Sequence, residues 1–186
     1  MCGHSDVPLD ATGLAQVSAL GAALAATPLS AVISSPLLRA RQTPEALLAG
    51  RDLPLGLAPE LIELDHGALD GVPSKQALRE HPEFFEAWMR DPGAARVPGG
   101  ETLAECQTRA MSALRTQVEV MGPGPPIALV THQLVLASIL CEVLDLPLRH
   151  YRLLSQKNTA INALSFRDGA WRVRRLNVTS HLPDLC

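Results

Sequence analysis

At 186 residues, 47% hydrophobic and 19% charged, residues 1–186 read as one ordinary globular domain, long enough to bury a sizeable core. A formal charge of −3, with the charges interspersed, gives no basic footprint for nucleic acid or for an anionic membrane. No apolar stretch approaches the roughly 18 residues of a membrane span and the start lacks a signal pattern; Cys2, Cys106, Cys141 and Cys186 are scattered with no Cys-x-x-Cys pair, so a cytoplasmic protein with reduced thiols and no zinc site is expected.

The chain opens on Gly3-His4-Ser5-Asp6-Val7-Pro8-Leu9, a turn that reads like the middle of a domain, with nothing apolar and strand-like ahead of it. Asp10 or Thr12 can cap a helix through Leu14, Val17, Leu20 and Leu24, which Pro28 stops. Ala31 to Ser34 is short and β-branched, as a buried strand should be, and residues 37 to 49 return to helix. Leu61 to Leu64 is predicted as a further short strand, followed by a polar, proline-punctuated region from Asp65 to Pro98. Glu101 opens a long amphipathic helix through Leu103, Cys106, Ala110, Leu114, Val118 and Met121, ended by Gly122-Pro123-Gly124-Pro125-Pro126. Ile127 to Val130 is a near-continuous apolar strand, His132 to Leu144 a buried helix, and Thr159 to Phe166 and Trp171 to Leu176 are two closing strands. Strands alternating with helices imply an α/β fold, a parallel or mixed sheet covered on both faces.

Ligands in such a sheet sit beyond the carboxyl ends of the strands. Three of those exits carry chemistry. Ser34-Ser35-Pro36-Leu37-Leu38-Arg39-Ala40-Arg41-Gln42-Thr43 turns from strand to helix, where free amides favour an anion and a guanidinium can fork onto phosphate oxygens. Leu61-Ile62-Glu63-Leu64-Asp65-His66-Gly67 supplies a carboxylate, and Val130-Thr131-His132 places an imidazole where a strand hands over to a helix. Taken singly, the arginine reads as a solvated or ion-paired side chain, the glutamate as structural, and the histidine as a hydrogen-bonded core residue. Together, in this order, they read as a phosphate-handling site.

Four ordered segments resemble the histidine phosphatase superfamily, the phosphoglycerate mutase-like proteins: Gly3 to Gln16, Ser35 to Thr43, Pro98-Gly99-Gly100-Glu101-Thr102 and Asn177 to Leu182. The short stretch between Gly71 and Pro98 is more similar to the compact branch of α-ribazole and broad-specificity phosphatases than to the longer mutases. The resemblance implies a three-layer α/β/α fold with a mostly parallel sheet. It also implies phosphomonoester hydrolysis through phosphohistidine on a small phosphorylated metabolite, with no metal or other cofactor. Arg39 would match a phosphate-binding arginine, Glu63 the general acid that protonates the leaving alcohol, and His132 the second histidine, which braces the phosphoryl group. Mutase activity stays open beside hydrolysis.

Two departures stand out. His132 is followed by Gln133 and Leu134 where the family usually has glycine or another small residue, and bulk there would narrow the pocket. The 186 residues also contain no Arg-His-Gly, the motif whose histidine is phosphorylated and whose arginine clamps the phosphate. His4, His66, His81, His150 and His181 offer no convincing replacement. In the family that motif ends a central strand, so the expectation is an N-terminally truncated domain that lacks this first central strand and is catalytically impaired as it stands. Three readings follow: an enzyme whose native start lies upstream of Met1, a non-catalytic pseudophosphatase module that binds anions, or a homodimer in which exchanged elements cover the strand position.

Overall fold

The computed structural model describes residues 2–121 and 124–182. Helix α1 spans Ala11–Leu24, with Asp10 as its cap: the carboxylate accepts the Gly13 amide at 2.7 Å. Strand β1 (Ala31–Ser34) follows, then α2 (Leu38–Leu48) and β2 (Leu55–Leu57). The polar, proline-punctuated region from Asp65 to Pro98 forms α3 (Ser74–Glu80) and α4 (Pro82–Arg90). Pro82 starts the latter at its first position, where the missing N–H has no partner to lose. Helix α5 (Leu103–Val120) opens on a capping box, in which the Thr102 hydroxyl takes the Glu105 amide and the Glu105 carboxylate takes the Thr102 amide. Gly122 and Pro123, read as part of its stop, lie outside the described residues, as does Cys186. Strand β3 (Ile127–Val130), helix α6 (Gln133–Val143), β4 (Ile161–Arg167) and β5 (Ala170–Val178) complete the order.

Strands β2, β1 and β3 form a parallel sheet in that order, with Val32 opposite both Leu55 and Ala128. The period of two along β3 sends neighbouring residues to opposite faces. Ala128 and Val130 pack with Leu20 and Leu24 of α1 and Leu47 and Leu48 of α2, while Leu129 packs with Ala113, Leu114 and Met111 of α5 and with Val135 and Ile139 of α6. Helices therefore cover both faces, and the three layers are helix, sheet, helix. Strands β4 and β5 form a separate antiparallel hairpin. Among the described residues β3 pairs with β1 alone and β4 with β5 alone, and every residue of β3 is only half-buried. Ile161 of β4 nevertheless packs on the cluster that receives Ala128 and Val130.

The strand expected at Leu61 to Leu64 is not one. The pairing partner of β1 lies earlier, at Leu55–Leu57, and the chain then passes through a 3-10 turn at Pro59–Leu61. Leu61 and Leu64 are buried, which is why the stretch reads as a strand, but its carbonyls bond to side chains from elsewhere instead of to a ladder: Leu61 O accepts the Thr131 hydroxyl at 2.8 Å, and Arg109 takes the next two. Glu63 is therefore carried on an irregular buried segment and not on a strand exit.

Candidate active site

The carboxyl ends of β1 and β3 and the segment after β2 converge. Ser35, the first residue beyond β1, is fully buried, and its hydroxyl shares a 2.7 Å hydrogen bond with Nε2 of His132. His132 is the N-cap of α6 but makes no side-chain cap bond. That function falls to Glu63, whose carboxylate accepts the amides of Leu134 and Val135 in the helix's first turn as well as that of Leu64 at 2.8 Å. One helix N-terminus thus gathers the imidazole and the carboxyl. Arg39 lies close enough for its charge to act on both.

The electrostatics divide the two groups. Burial pushes the Glu63 carboxyl above the usual glutamate range against the pull of the Leu64, Leu134 and Val135 amides and of Arg39. Burial first, then the positive charges of Arg39 and Arg109, pushes the His132 imidazole down to about 3, so the ring is neutral near pH 7. A neutral imidazole beside a carboxyl that favours its proton is a pair able to donate hydrogen bonds or a proton to an anion.

Arg39 is already engaged. Its guanidinium donates to the Ser5 carbonyl at 2.9 Å and the Gly3 carbonyl at 2.7 Å, two of its five N–H groups. The opening turn is held from the other side by Asp70, which accepts the Gly3 and Ser5 amides at 2.8 and 2.7 Å, bonds that keep its carboxyl below the usual aspartate range. Two amides at the start of α2 also have protein partners: Leu38 donates to Asp6 at 2.5 Å and Leu37 to the Ser35 hydroxyl at 3.4 Å. A half-buried amide takes a protein partner when one is in reach.

Of the other histidines, His4 stands nearest. Its Nε2–H donates to the Glu63 carbonyl at 2.8 Å and its Nδ1 is 3.9 Å from the Asp65 carboxylate. His66 is buried, its Nδ1 has no partner, and burial lowers its pKa. His181 lies 3.3 Å from the Thr159 hydroxyl, just outside the open end of the hairpin where Ile161 pairs with Val178. Gln133 is exposed, whereas Leu134 packs against the core. Among the described residues no group of three or more His, Cys, Asp or Glu could hold a metal ion, and no helix is long and apolar enough to cross a membrane.

Sequence reasoning passes over two contributors. Ser35 lies inside a quoted motif but its hydroxyl gives no sign of a partner 97 residues on. Arg109 sits mid-helix, and only its spacing of eight residues from Glu101, two helical turns, hints that both face one way. Its guanidinium reaches the carbonyls of Glu60, Ile62 and Glu63. Two glycines let these loops touch. A Cβ on Gly67, whose φ is +43°, would stand 2.3 Å from the Pro98 carbonyl, and one on Gly100 would stand 2.2 Å from that of Asp65.

An α/β domain that brings an arginine, a buried carboxyl and a neutral imidazole together beside the carboxyl ends of its parallel strands presents groups suited to an anion. Residues 1–179 match the histidine phosphatase superfamily, branch 1, and the chain belongs to that family. It is 25% identical over 180 residues to phosphoserine phosphatase 1 of Hydrogenobacter thermophilus, covering 97% of this chain and 85% of that protein. In structure it is similar to YhfR of Bacillus stearothermophilus, with a TM-score of 0.92 at 27% identity over 98% of this chain and 90% of that one. The α-ribazole phosphatase of Shigella flexneri gives a TM-score of 0.86 at 25% identity over 96% and 88%. The mixed α/β fold with its parallel sheet is that of the histidine phosphatases.

Proposed function

We propose that this chain carries the substrate-receiving half of a phosphomonoester hydrolase that works through phosphohistidine. Arg39 holds the phosphate oxygens, His132 donates a hydrogen bond to the phosphoryl group, and Glu63 gives its proton to the departing alkoxide as the P–O bond breaks and a P–N bond to the nucleophilic histidine forms. Water then attacks phosphorus, the P–N bond breaks, and the Glu63 carboxylate takes the water's proton, which restores the acid. The supporting observation is the meeting of Glu63 and His132 at the first turn of α6 within reach of the Arg39 charge. Two of the three relatives named above are phosphatases by name, one of them for phosphoserine, so a small phosphorylated metabolite is the substrate class assigned here.

In this reading the nucleophile arrives on an extended segment outside these 186 residues. Support comes from the one-sided pairing of β3 and β4 among the described residues and from the lack of an Arg-His-Gly motif in the sequence. The 186-residue chain is expected to bind vanadate, to lose that binding on Arg39→Ala, and to hydrolyse an aryl phosphate on the order of a million-fold more slowly than a form extended upstream by a strand ending in Arg-His-Gly. The extended form should show an acid-labile phosphohistidine by 31P NMR. Failure to bind vanadate overturns the site. Rapid turnover by the 186 residues alone, lost on His132→Ala, overturns the external nucleophile, while binding without turnover in the extended form leaves a pseudophosphatase.

A further inference from the structure

We propose that Arg109 of α5 is the positioning residue for Glu63: its guanidinium holds the backbone of residues 60–63 and so sets where the acid's carboxyl stands relative to His132 and Arg39. The inference rests on the reading of Glu63 as the proton donor. It starts from the absence of any ladder under that acid. A side chain whose backbone lies in a sheet inherits its place from strand pairing, but the last ladder bond here is Ala58 N to Ser34 O, and residues 59–66 pair with no strand among the described residues. What replaces the ladder is a set of side chains, with Thr131 on Leu61 O and His4 on Glu63 O, and Arg109 holds three of the carbonyls. Nη1 of Arg109 donates to Glu60 O at 2.7 Å and Ile62 O at 2.6 Å, and Nη2 to Glu63 O at 3.0 Å.

The guanidinium is itself oriented. Nε donates to Glu101 Oε2 at 3.1 Å and Nη2 to Glu101 Oε1 at 2.5 Å, a two-point pairing that fixes the plane of the fork. Nη2 also lies 3.3 Å from the Cys106 sulfur, a thiol that burial pushes up to about 12 and that therefore stays neutral. Glu101 closes the frame, for its Oε1 accepts the Asp65 amide at 2.9 Å on the far side of Glu63. Glu63 is thus bracketed at residues 60, 62, 63 and 65 by one ion pair whose side chains are 22% and 17% exposed. A lysine could not do this: it offers three donors from a single nitrogen, and the acceptors here span both edges of a planar fork.

A staple needed only for folding would leave the acid's protonation and its selectivity unaltered once the protein is folded. A positioning residue would change both. The test is Arg109→Lys, which keeps the charge, with Glu63 followed by 13C NMR of its carboxyl, assigned by loss of the signal in Glu63→Gln. In Arg109→Lys the raised Glu63 midpoint is expected to fall back toward the ordinary glutamate range, and the Leu64 amide to exchange about tenfold faster or more while Val32 and Ile33 in β1 keep their protection. An unchanged Glu63 midpoint in a folded Arg109→Lys protein overturns the proposal. If that variant loses β1 protection, Glu101→Gln decides, with a smaller shift in the same direction expected and no shift overturning it. These readouts need no turnover, so they fail or succeed separately from the proposed reaction. In the form that turns over, Arg109→Lys should lower kcat for an alkyl phosphate about 10²-fold and leave that for dinitrophenyl phosphate, whose leaving group needs no proton, nearly unchanged. Equal losses on the two esters overturn the positioning role.

Discussion

Around Glu63 each carbonyl of residues 60–63 has a donor brought from another element, whereas along β3 and β4 one whole edge of each strand has no ladder among the described residues. Arg109, Glu101, His4 and Thr131 converge on residues 60–65. Strand β3, as apolar as a central strand should be, is half-buried throughout. The contrast separates two requirements that a catalytic domain usually meets together. The receiving groups are fixed by side-chain clamps and helix ends, which need no completed sheet, while the interior of the sheet depends on pairing that β3 and β4 only half make.

The sharpest way to break this comparison is a pair of truncations. Leu103→Ala, in the fully buried cluster beneath the clamps, is expected to cost about 2 to 5 kcal/mol, and Leu129→Ala on half-buried β3 only about 1 to 2 kcal/mol, by urea unfolding. Equal costs would mean that β3 is as well packed as the clamped end. A second handle is acid. The folded His132 pKa of about 3 lies below its unfolded value of 6.5, so between them the unfolded chain binds a proton that the folded one refuses, and stability is lost as pH falls through that window. Glu63 works oppositely: its raised pKa favours the folded state below the unfolded glutamate value, and that contribution is lost as pH rises through the folded one. His132→Gln should therefore flatten the loss between pH 6.5 and 4 by on the order of a few kcal/mol, measured as the pH dependence of the urea midpoint. An unchanged slope would show a solvated imidazole.

Smaller effects test the rim. Asp70→Asn keeps the shape but weakens two bonds to the opening turn, and about 1 kcal/mol of stability together with weaker vanadate binding is expected, because the turn and Arg39 are held as one unit. Gln133→Ala, at an exposed position, should change stability by less than about 0.5 kcal/mol and leave vanadate affinity as it is. A tighter affinity would mean that this side chain does reach into the pocket.

Helices α1, α2, α5 and α6 and most strands are legible because their periods are strong and their ends are chemical: Asp10 and Thr102 sit where caps belong, and Ala31 to Ser34 and Ile127 to Val130 are short apolar runs between breakers. Helices α3 and α4 are not, since short helices in a polar, proline-punctuated stretch carry no long apolar period. Arg39, Glu63 and His132 stand out as candidates through order and motif, and the structure brings the three near one another. The segment 61–64 misleads because burial and pairing are separate properties, and composition reports only burial. Arg109 is hidden because its partners are carbonyls, which every residue has, so no choice of residue at 60, 62 or 63 marks them as acceptors. Asp6 and Glu63 as caps of helices that follow them by many residues are hidden likewise, since a cap is sought next to the helix it serves.

That borrowed cap on α6 has a thermodynamic side. With its charge, Glu63 steadies the first turn of the helix that carries His132. With a proton, it gives that turn less and has an O–H to donate instead. A dianion arriving beside Arg39 brings a like charge to the carboxyl and tips the balance toward the protonated form. In the proposed reaction, a bound dianion and the carboxyl's proton are then expected to enter as a linked pair, each favouring the other.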